Sequence, residues 1–309
     1  MLNGMYVYAF HSSPSIAAYP YLISLINNRE HDQLTGLINS RHIPVYLREL
    51  ALGEVAAQKG EYGQALSHLK KAKYYGAAQP DSVLGRIHYV LAVNYEALDQ
   101  PMEALNYYLK VTDIRFRWSN AFYGKQARDR ILLLRGQLKF RRQQLSSRVA
   151  TSPDSTVAQG EFGLYLLRTG EYALAATHLE LANGLEPNNI NILFNLGLAY
   201  LKSGDVEAAK LSFLKANTEN TDDPKILNHL ALIYAGQGDY DSAIALFERV
   251  LNKGIDNFNA RYNLARLYYR LGDSELMMSL LRQGMQDTSG DVSERYRRLI
   301  NELSVTNSE

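Results

Sequence analysis

Histidine is the side chain here best suited to proton transfer or metal binding near neutral pH, and the chain has seven: His11, His31, His42, His68, His88, His178 and His229. They are scattered. None falls in an HExxH pair, and none sits in a close run with carboxylates, so metal-assisted hydrolysis finds no ligand set. Cysteine is absent, which excludes disulfides, thiolate metal sites and a cysteine nucleophile. Phosphate-cradling GxxxxGKS/T and GxGxxG loops are missing, as is the GxSxG nucleophile elbow. The expectation is a non-catalytic protein that uses no cofactor and no metal.

Two groupings suit binding instead. Glu161, Asn195, His229 and Asn263 recur at steps of 34 residues, and Phe194, Asn228 and Tyr262 adjoin them. An Asn amide both donates and accepts, so it can hold a peptide backbone. The plainer reading is that Asn is there for local reasons and that His229 is a half-exposed helix histidine. The second grouping is basic. Arg115, Arg117, Lys125, Arg128, Arg130, Arg135, Lys139, Arg141, Arg142 and Arg148 share the span 114–150 with Asp129 as its sole acid, in a chain whose formal charge is +1. Aromatics interleave with the cations at Arg115-Phe116-Arg117-Trp118 and Phe122-Tyr123. That chemistry suits RNA, single-stranded DNA, an anionic lipid surface or an acidic protein. The plainer reading is a solvated helix face offset by acids on neighbouring segments. Steep loss of binding with salt would mark the nucleic-acid case.

The elements that position these residues repeat. Gly170-Glu171, Gly204-Asp205, Gly238-Asp239 and Gly272-Asp273 are turns spaced by 34 residues, a period that signals stacked supersecondary units. Before each turn comes an apolar stripe of helical spacing: Leu193, Leu196, Gly197 and Tyr200 in the clearest copy. After it comes another, Ala209, Phe213 and Ala216. Small Gly197 and Ala209 let the two helices approach closely, and Phe213 fills the space between neighbouring hairpins. Gly204 suits a left-handed C-cap and Asp205 an N-cap. One such hairpin cannot bury its own apolar face, so several must stack.

These residues resemble the tetratricopeptide repeat. Four units keep one frame, 156–189, 190–223, 224–257 and 258–291. The turn glycine aligns in all four, followed by Ala175, Ala209 and Ala243 (Met277 departs) and by Leu179, Phe213, Phe247 and Leu281. The resemblance implies an all-α, right-handed superhelix of about six helix-turn-helix repeats, closed by a C-terminal capping helix. It also implies a concave face, lined by the first helices, that receives a partner peptide or helix. Asn195, Asn228 and Asn263 would supply amide contacts there, Phe194 and Tyr262 apolar area, with His229 alongside. Many family members organise multiprotein assemblies, including bacterial secretion, pilus and polysaccharide-export machines. A subfamily grips C-terminal carboxylates with a Lys/Asn/Asn/Lys/Arg clamp. Here only Lys225 and Asn195 match it, and Gly160 and Leu164 occupy the first two clamp positions, so that role is not expected. The alternative is a nucleic-acid or anionic-membrane-surface binder using 115–148; an enzyme ranks last.

The rest of the chain is organised around this array. Residues 1–45 are expected to be an extension or helical cap. Ser12 to Ser15 read as a disordered start, followed by short helices at 21–28 and 32–39. A helix-turn-helix for DNA is disfavoured there, because Arg29 and Arg41 are too few to neutralise phosphate. Residues 46–118 hold two repeats, with 76–84 as an extended loop and Asp99-Gln100-Pro101 as a variant turn. Residues 119–155 form a basic degenerate helical connector with an apolar block Ile131–Leu134, and 149–156 a linker. Residues 292–309 are a capping helix and tail, with Val292, Tyr296, Leu299, Ile300 and Leu303 as its apolar stripe. No apolar run is long enough to span a bilayer, and the first ten residues make a poor secretory signal. Location is expected to be cytoplasmic by default, or periplasmic or membrane-associated if a segment precedes this start.

Overall fold

A computed structural model of the chain describes residues 14–28, 30–39, 43–77, 81–113, 121–219, 223–252, 257–288, 292–293, 296–297 and 299–300. Among these, fifteen helices and no strands are found. In order they are α1 (Pro14–Asn28), α2 (His31–Asn39), α3 (Val45–Gln58), α4 (Tyr62–Tyr75), α5 (Asp81–Ala97), α6 (Pro101–Thr112) and α7 (Ala121–Thr151). Then come α8 (Thr156–Thr169), α9 (Tyr172–Leu185), α10 (Ile190–Ser203), α11 (Val206–Glu219), α12 (Pro224–Gln237), α13 (Tyr240–Leu251), α14 (Phe258–Arg270) and α15 (Ser274–Asp287). The protein is an all-α array of helical hairpins. It divides into two compact units, 1–144 with 168–170, and 145–167 with 171–309.

One turn chemistry recurs in both units. The residue after each turn position donates its backbone N–H to the carbonyl of the residue five before it: Glu61 to Ala56, Gln100 to Tyr95, Glu171 to Leu166, Asp205 to Tyr200, Asp239 to Tyr234 and Asp273 to Tyr268, all at 2.9–3.0 Å. This is the six-to-one bond of a Schellman cap, and it requires a left-handed residue. Gly204 provides it at φ 95°. In the variant turn Asp99 takes the glycine's place at φ 54°, a conformation that Asp tolerates better than most side chains do. The following helix is then capped where the residue is Asp. Asp205, Asp239 and Asp273 accept from Ala208, Ser242 and Leu276 N–H at 3.0, 3.1 and 2.9 Å. Glu61, Gln100 and Glu171 make no such side-chain bond.

The small residue of the first helix allows the close approach that the spacing implied. A Cβ at Gly53, Gly163 or Gly197 would lie 2.7 Å from Leu69, Leu179 or Phe213 respectively. The first unit has one continuous core that runs from Leu22 and Leu25 through Leu47, Leu69, Leu91 and Tyr108 to Ala127 and Leu134. The second has four smaller cores in sequence, around Leu179, Phe213, Phe247 and Tyr296. Phe213 is fully buried between Gly197 of its own hairpin and His229 of the next, on whose ring it stacks at 5.1 Å. Tyr296 is fully buried against the last hairpin, with Val292, Leu299 and Ile300 packed beside it.

Several expectations change. Pro14 and Ser15 begin a helix rather than a disordered start, because Leu22, Leu25 and Ile26 of that helix are buried in the first core; Ser12 and Ser13 lie outside the described residues, as do Arg29 and Arg41. The extended loop at 76–84 is shorter, since helix α5 starts at Asp81 and buries Val83. The linker at 149–156 is helical up to Thr151. The span after 113 holds one helix, α7, in the described residues, and its block Ile131–Leu134 divides. Ile131 and Leu134 are buried while Leu132 and Leu133 are exposed. Successive helical residues turn by about 100°, so four in a row cannot share one face.

Candidate functional site

Positions one repeat apart can be compared directly, since each first helix presents the same registers. In the first unit part of that face is filled from within. Glu54 follows the small Gly53, and Arg86 stands six before the small Ala92. Arg86 donates from Nε and Nη2 to the two carboxylate oxygens of Glu54, both at 2.6 Å. It also donates to Asn27 Oδ1 of α1 at 3.3 Å and to the Tyr123 hydroxyl of α7. Glu54 and Arg86 are 7% and 5% exposed. A bidentate, fully partnered pair is the arrangement that offsets the cost of burying two charges. Farther along, Glu96 accepts from Arg130 and from the Tyr108 hydroxyl. The Tyr89 ring sits 5.2 Å from Tyr123 and 5.7 Å from Tyr108. Helices α1 and α7 therefore cover this part of the face with their own side chains.

The second unit leaves the same registers open. Where Arg86 is buried, Val157 is 60% exposed, and Asn191, Lys225 and Asn259 are exposed too. At the register of Glu54, Leu232 is 43% exposed and Arg266 is exposed, while Leu164 and Leu198 are half-buried; the next hairpin of the first unit carries Val93 there, 40% exposed. Between those rows lie the residues singled out in the sequence, all half-buried: Phe194, Asn195, Asn228, His229, Tyr262 and Asn263. Phe194 and His229 come together, with ring centroids 5.6 Å apart. Asn195 donates to the Asn191 carbonyl of its own helix at 2.6 Å, so one of its amide hydrogens is already engaged. Asn228 Oδ1 and His229 Nδ1 have no hydrogen-bond partner among the described residues. Burial holds the His229 imidazole below its ordinary pKa, with Lys202 adding to the effect; a neutral ring leaves one nitrogen as an acceptor.

Tyr262 stands apart from that pair. It stacks on Phe258 at 6.1 Å, with the Arg266 guanidinium 5.6 Å from its ring centre. Tyr262, Ala265, Arg266, Tyr269, Met277 and Leu299 line a cleft of about 210 Å³. The sequence pointed to Tyr262 here but not to Arg266, Tyr269 or Leu299, which reach the cleft from different turns and helical segments. The exposure of Val157, Leu232 and Tyr269 also went unread; a helical wheel would have placed them off the core stripe.

His68, His88 and His178, outside this face, have structural partners. His68 Nδ1 lies 2.8 Å from Glu49 Oε2 and His178 Nδ1 lies 2.7 Å from Gln159 Oε1, the same repeat position in each unit. His88 is buried beside Tyr107, and burial with Lys110 and Lys73 nearby lowers its pKa to about 4. His11 and His42 lie outside the described residues. Among the described residues, no group of three His, Asp or Glu side chains is placed to hold a metal ion, and no helix is long and apolar enough to cross a membrane.

The basic grouping is partly neutralised. Arg130 pairs with Glu96, and Arg148 with Glu161. Arg142 is half-buried, and Arg141 donates to Gln144 at 3.0 Å. Lys125, Arg128, Arg135 and Lys139 are exposed on α7. Arg115, Arg117, Phe116 and Trp118 lie outside the described residues.

Comparison with known proteins agrees with the repeat. Tetratricopeptide-repeat models match residues 190–223 and 234–303. No curated protein matches the chain. Among solved structures, pilF of Pseudomonas aeruginosa is similar at 19% identity and TM-score 0.41, covering 84% of this chain and 97% of its own. TTC0263 of Thermus thermophilus is similar at 18% identity and TM-score 0.38, covering 72% and 99%. MamA of Desulfovibrio magneticus RS-1 is similar at 19% identity and TM-score 0.33, covering 67% and 93%.

Proposed function

We propose that this tetratricopeptide-repeat protein is a non-catalytic adaptor that holds a segment of a partner protein along the first helices of its second unit, 156–291. The observation that carries the reading is the pair Asn228 Oδ1, an acceptor, and His229 Nδ1, a donor or acceptor according to the tautomer, neither of which has a hydrogen-bond partner among the described residues. A buried acceptor left unmade costs on the order of 1–3 kcal/mol. A partner backbone or side chain that supplies N–H groups, with local rotation of these half-buried side chains, recovers that cost. Exposed Val157, Leu232 and Tyr269 add apolar area on the first helices of the array. Asn195 and Asn263 keep donors and acceptors in the same row, and Phe194 and Tyr262 provide the aromatic contacts that dominate interface energies. Within this reading the chain serves a multiprotein assembly, of the kind represented by bacterial secretion, pilus and polysaccharide-export machinery.

The test compares the protein with an Asn195→Ala/Tyr262→Ala/Asn263→Ala variant that retains its circular dichroism. Each is used to capture partners from the native source, and the captured segment is then synthesised and titrated. Loss of about tenfold or more in affinity for the variant supports the face. Equal affinity for both proteins removes it as the binding surface.

A further inference from the structure

Helix α7 (Ala121–Thr151) carries two apolar stripes on opposite sides. Ala127, Ile131, Leu134 and Leu145 are buried. At about 100° per residue, Leu132, Leu133 and Phe140 fall on the far side, and they are 70%, 46% and 67% exposed. Leu132, Gly136 and Phe140 form one row at four-residue spacing, the ridge direction along which helices interlock. Gly136 is the notch in that ridge. A Cβ built on it meets nothing within 4 Å, so no packing among the described residues requires glycine there, although mid-helix glycine costs about 1 kcal/mol relative to alanine. Close approach of a second helix backbone supplies the missing reason.

Charge selects the occupant. Arg128, Arg135 and Lys139 are exposed along one edge of the stripe, with Lys125 exposed at its N-terminal end, and no ion pair engages them among the described residues. Gln137 and Gln144 take the other edge. Asp129, exposed, closes the stripe at its N-terminal end. We propose that this face of α7 docks one amphipathic α-helix of another protein, seated over Gly136 between Leu132 and Phe140, with a row of carboxylates along the edge that meets Arg128, Arg135 and Lys139. The contact spans about four turns, roughly 22 Å. A second copy of the chain fits less well: antiparallel, it sets cation against cation, and parallel, it sets cations against glutamines. An anionic bilayer fits less well too, because it would contact both edges of the stripe and only one carries a row of cations, the other holding Gln137 and Gln144 with Arg141 bonded to Gln144. A nucleic acid would meet three aliphatic or aromatic side chains where it needs charge.

The probe is a fluorescein-labelled helical peptide with Leu and Ala on one face and Glu along one edge, titrated by anisotropy into the full chain at physiological ionic strength. A peptide of the same composition in shuffled order is the control. Saturable binding of the first and not the second is expected. Gly136→Leu, which fills the notch, and Phe140→Ser each weaken it by about tenfold. Arg135→Glu/Lys139→Glu abolishes it and transfers binding to the Lys-edged version of the peptide. Circular dichroism checks that each variant folds. The Asn195→Ala/Tyr262→Ala/Asn263→Ala variant binds the probe unchanged, so this surface and the adaptor face stand or fall separately. The proposal is overturned if the probe does not bind, or binds all α7 variants equally. It is also overturned if the variants lose association with phosphatidylserine vesicles, single-stranded RNA or a second copy while the probe has no effect.

Discussion

The two units use the same hairpin and differ at particular registers of the same face. In the first, the registers that point away from the core hold Glu54 and Arg86, buried against Asn27 and Tyr123. In the second they hold Val157, Lys225, Leu232 and Arg266, all exposed. The hairpins differ little in how they stack; they differ in whether the chain itself occupies the surface that stacking creates. A repeat array is thus divided into a closed part and an open part by flanking helices and by a few side chains at fixed registers. The lesson is that register, rather than the presence of a repeat, decides where such a chain can receive something.

The largest test of this comparison is to open the closed face. Glu54→Leu leaves the Arg86 guanidinium buried without its carboxylate, and the loss expected is about 3–5 kcal/mol. Leu232→Glu at the equivalent exposed register is expected to change stability by less than about 0.5 kcal/mol. Urea unfolding of the two variants measures both; similar losses would show that the faces are not different in kind.

Acid sharpens the contrast next. His88 titrates near 6.5 when unfolded and near 4 when folded, because burial excludes the charged ring and Lys110 and Lys73 repel it. Between those values the unfolded chain binds a proton that the folded chain does not, so stability falls as pH drops from about 6.5 towards 4. The full shift corresponds to about 3 kcal/mol. His178 and His229, also held low by burial, act in the same direction. His88→Phe should flatten the first unit's share of the decline, read from urea midpoints at stepped pH; an unchanged slope would mean that the ring is already reached by water.

The smallest effect lies in the turns. The second unit caps three of its helices with Asp205, Asp239 and Asp273, whereas the first unit has Glu61 and Gln100 there with no side-chain bond. Asp239→Ala should cost about 1 kcal/mol and Glu61→Asp should gain up to about as much. Thermal melting resolves shifts of that size.

Much of this was legible in the sequence. The turn glycines, the small residues facing Leu179 and Phe213, and the period all report local geometry that every copy must satisfy, so they survive in the letters. The hairpin following each turn was readable for the same reason. Helix α7 was legible as a helical connector, but its buried face was not, because its two opposed apolar stripes cancel the one-sided pattern that marks a helix face. The Glu54–Arg86 pair was hidden for another reason: its partners are 32 residues apart, and only stacking of one hairpin on the next brings them together. The candidate face was legible as a row, through Asn195, His229 and Asn263. Its unpartnered polar atoms were not, since a sequence does not say which partners are absent. The early start of α1 was set by tertiary burial of Leu22, Leu25 and Ile26, which overrode a Ser/Pro-rich beginning.

One continuous core in the first unit and four serial cores in the second also imply two kinds of cooperativity. A shared core opens all at once or stays shut. Serial cores are coupled only to their neighbours, so opening can begin at one hairpin and spread. A single unfolding free energy then describes the first unit better than the second. In the second, amide exchange is expected to be governed by local openings.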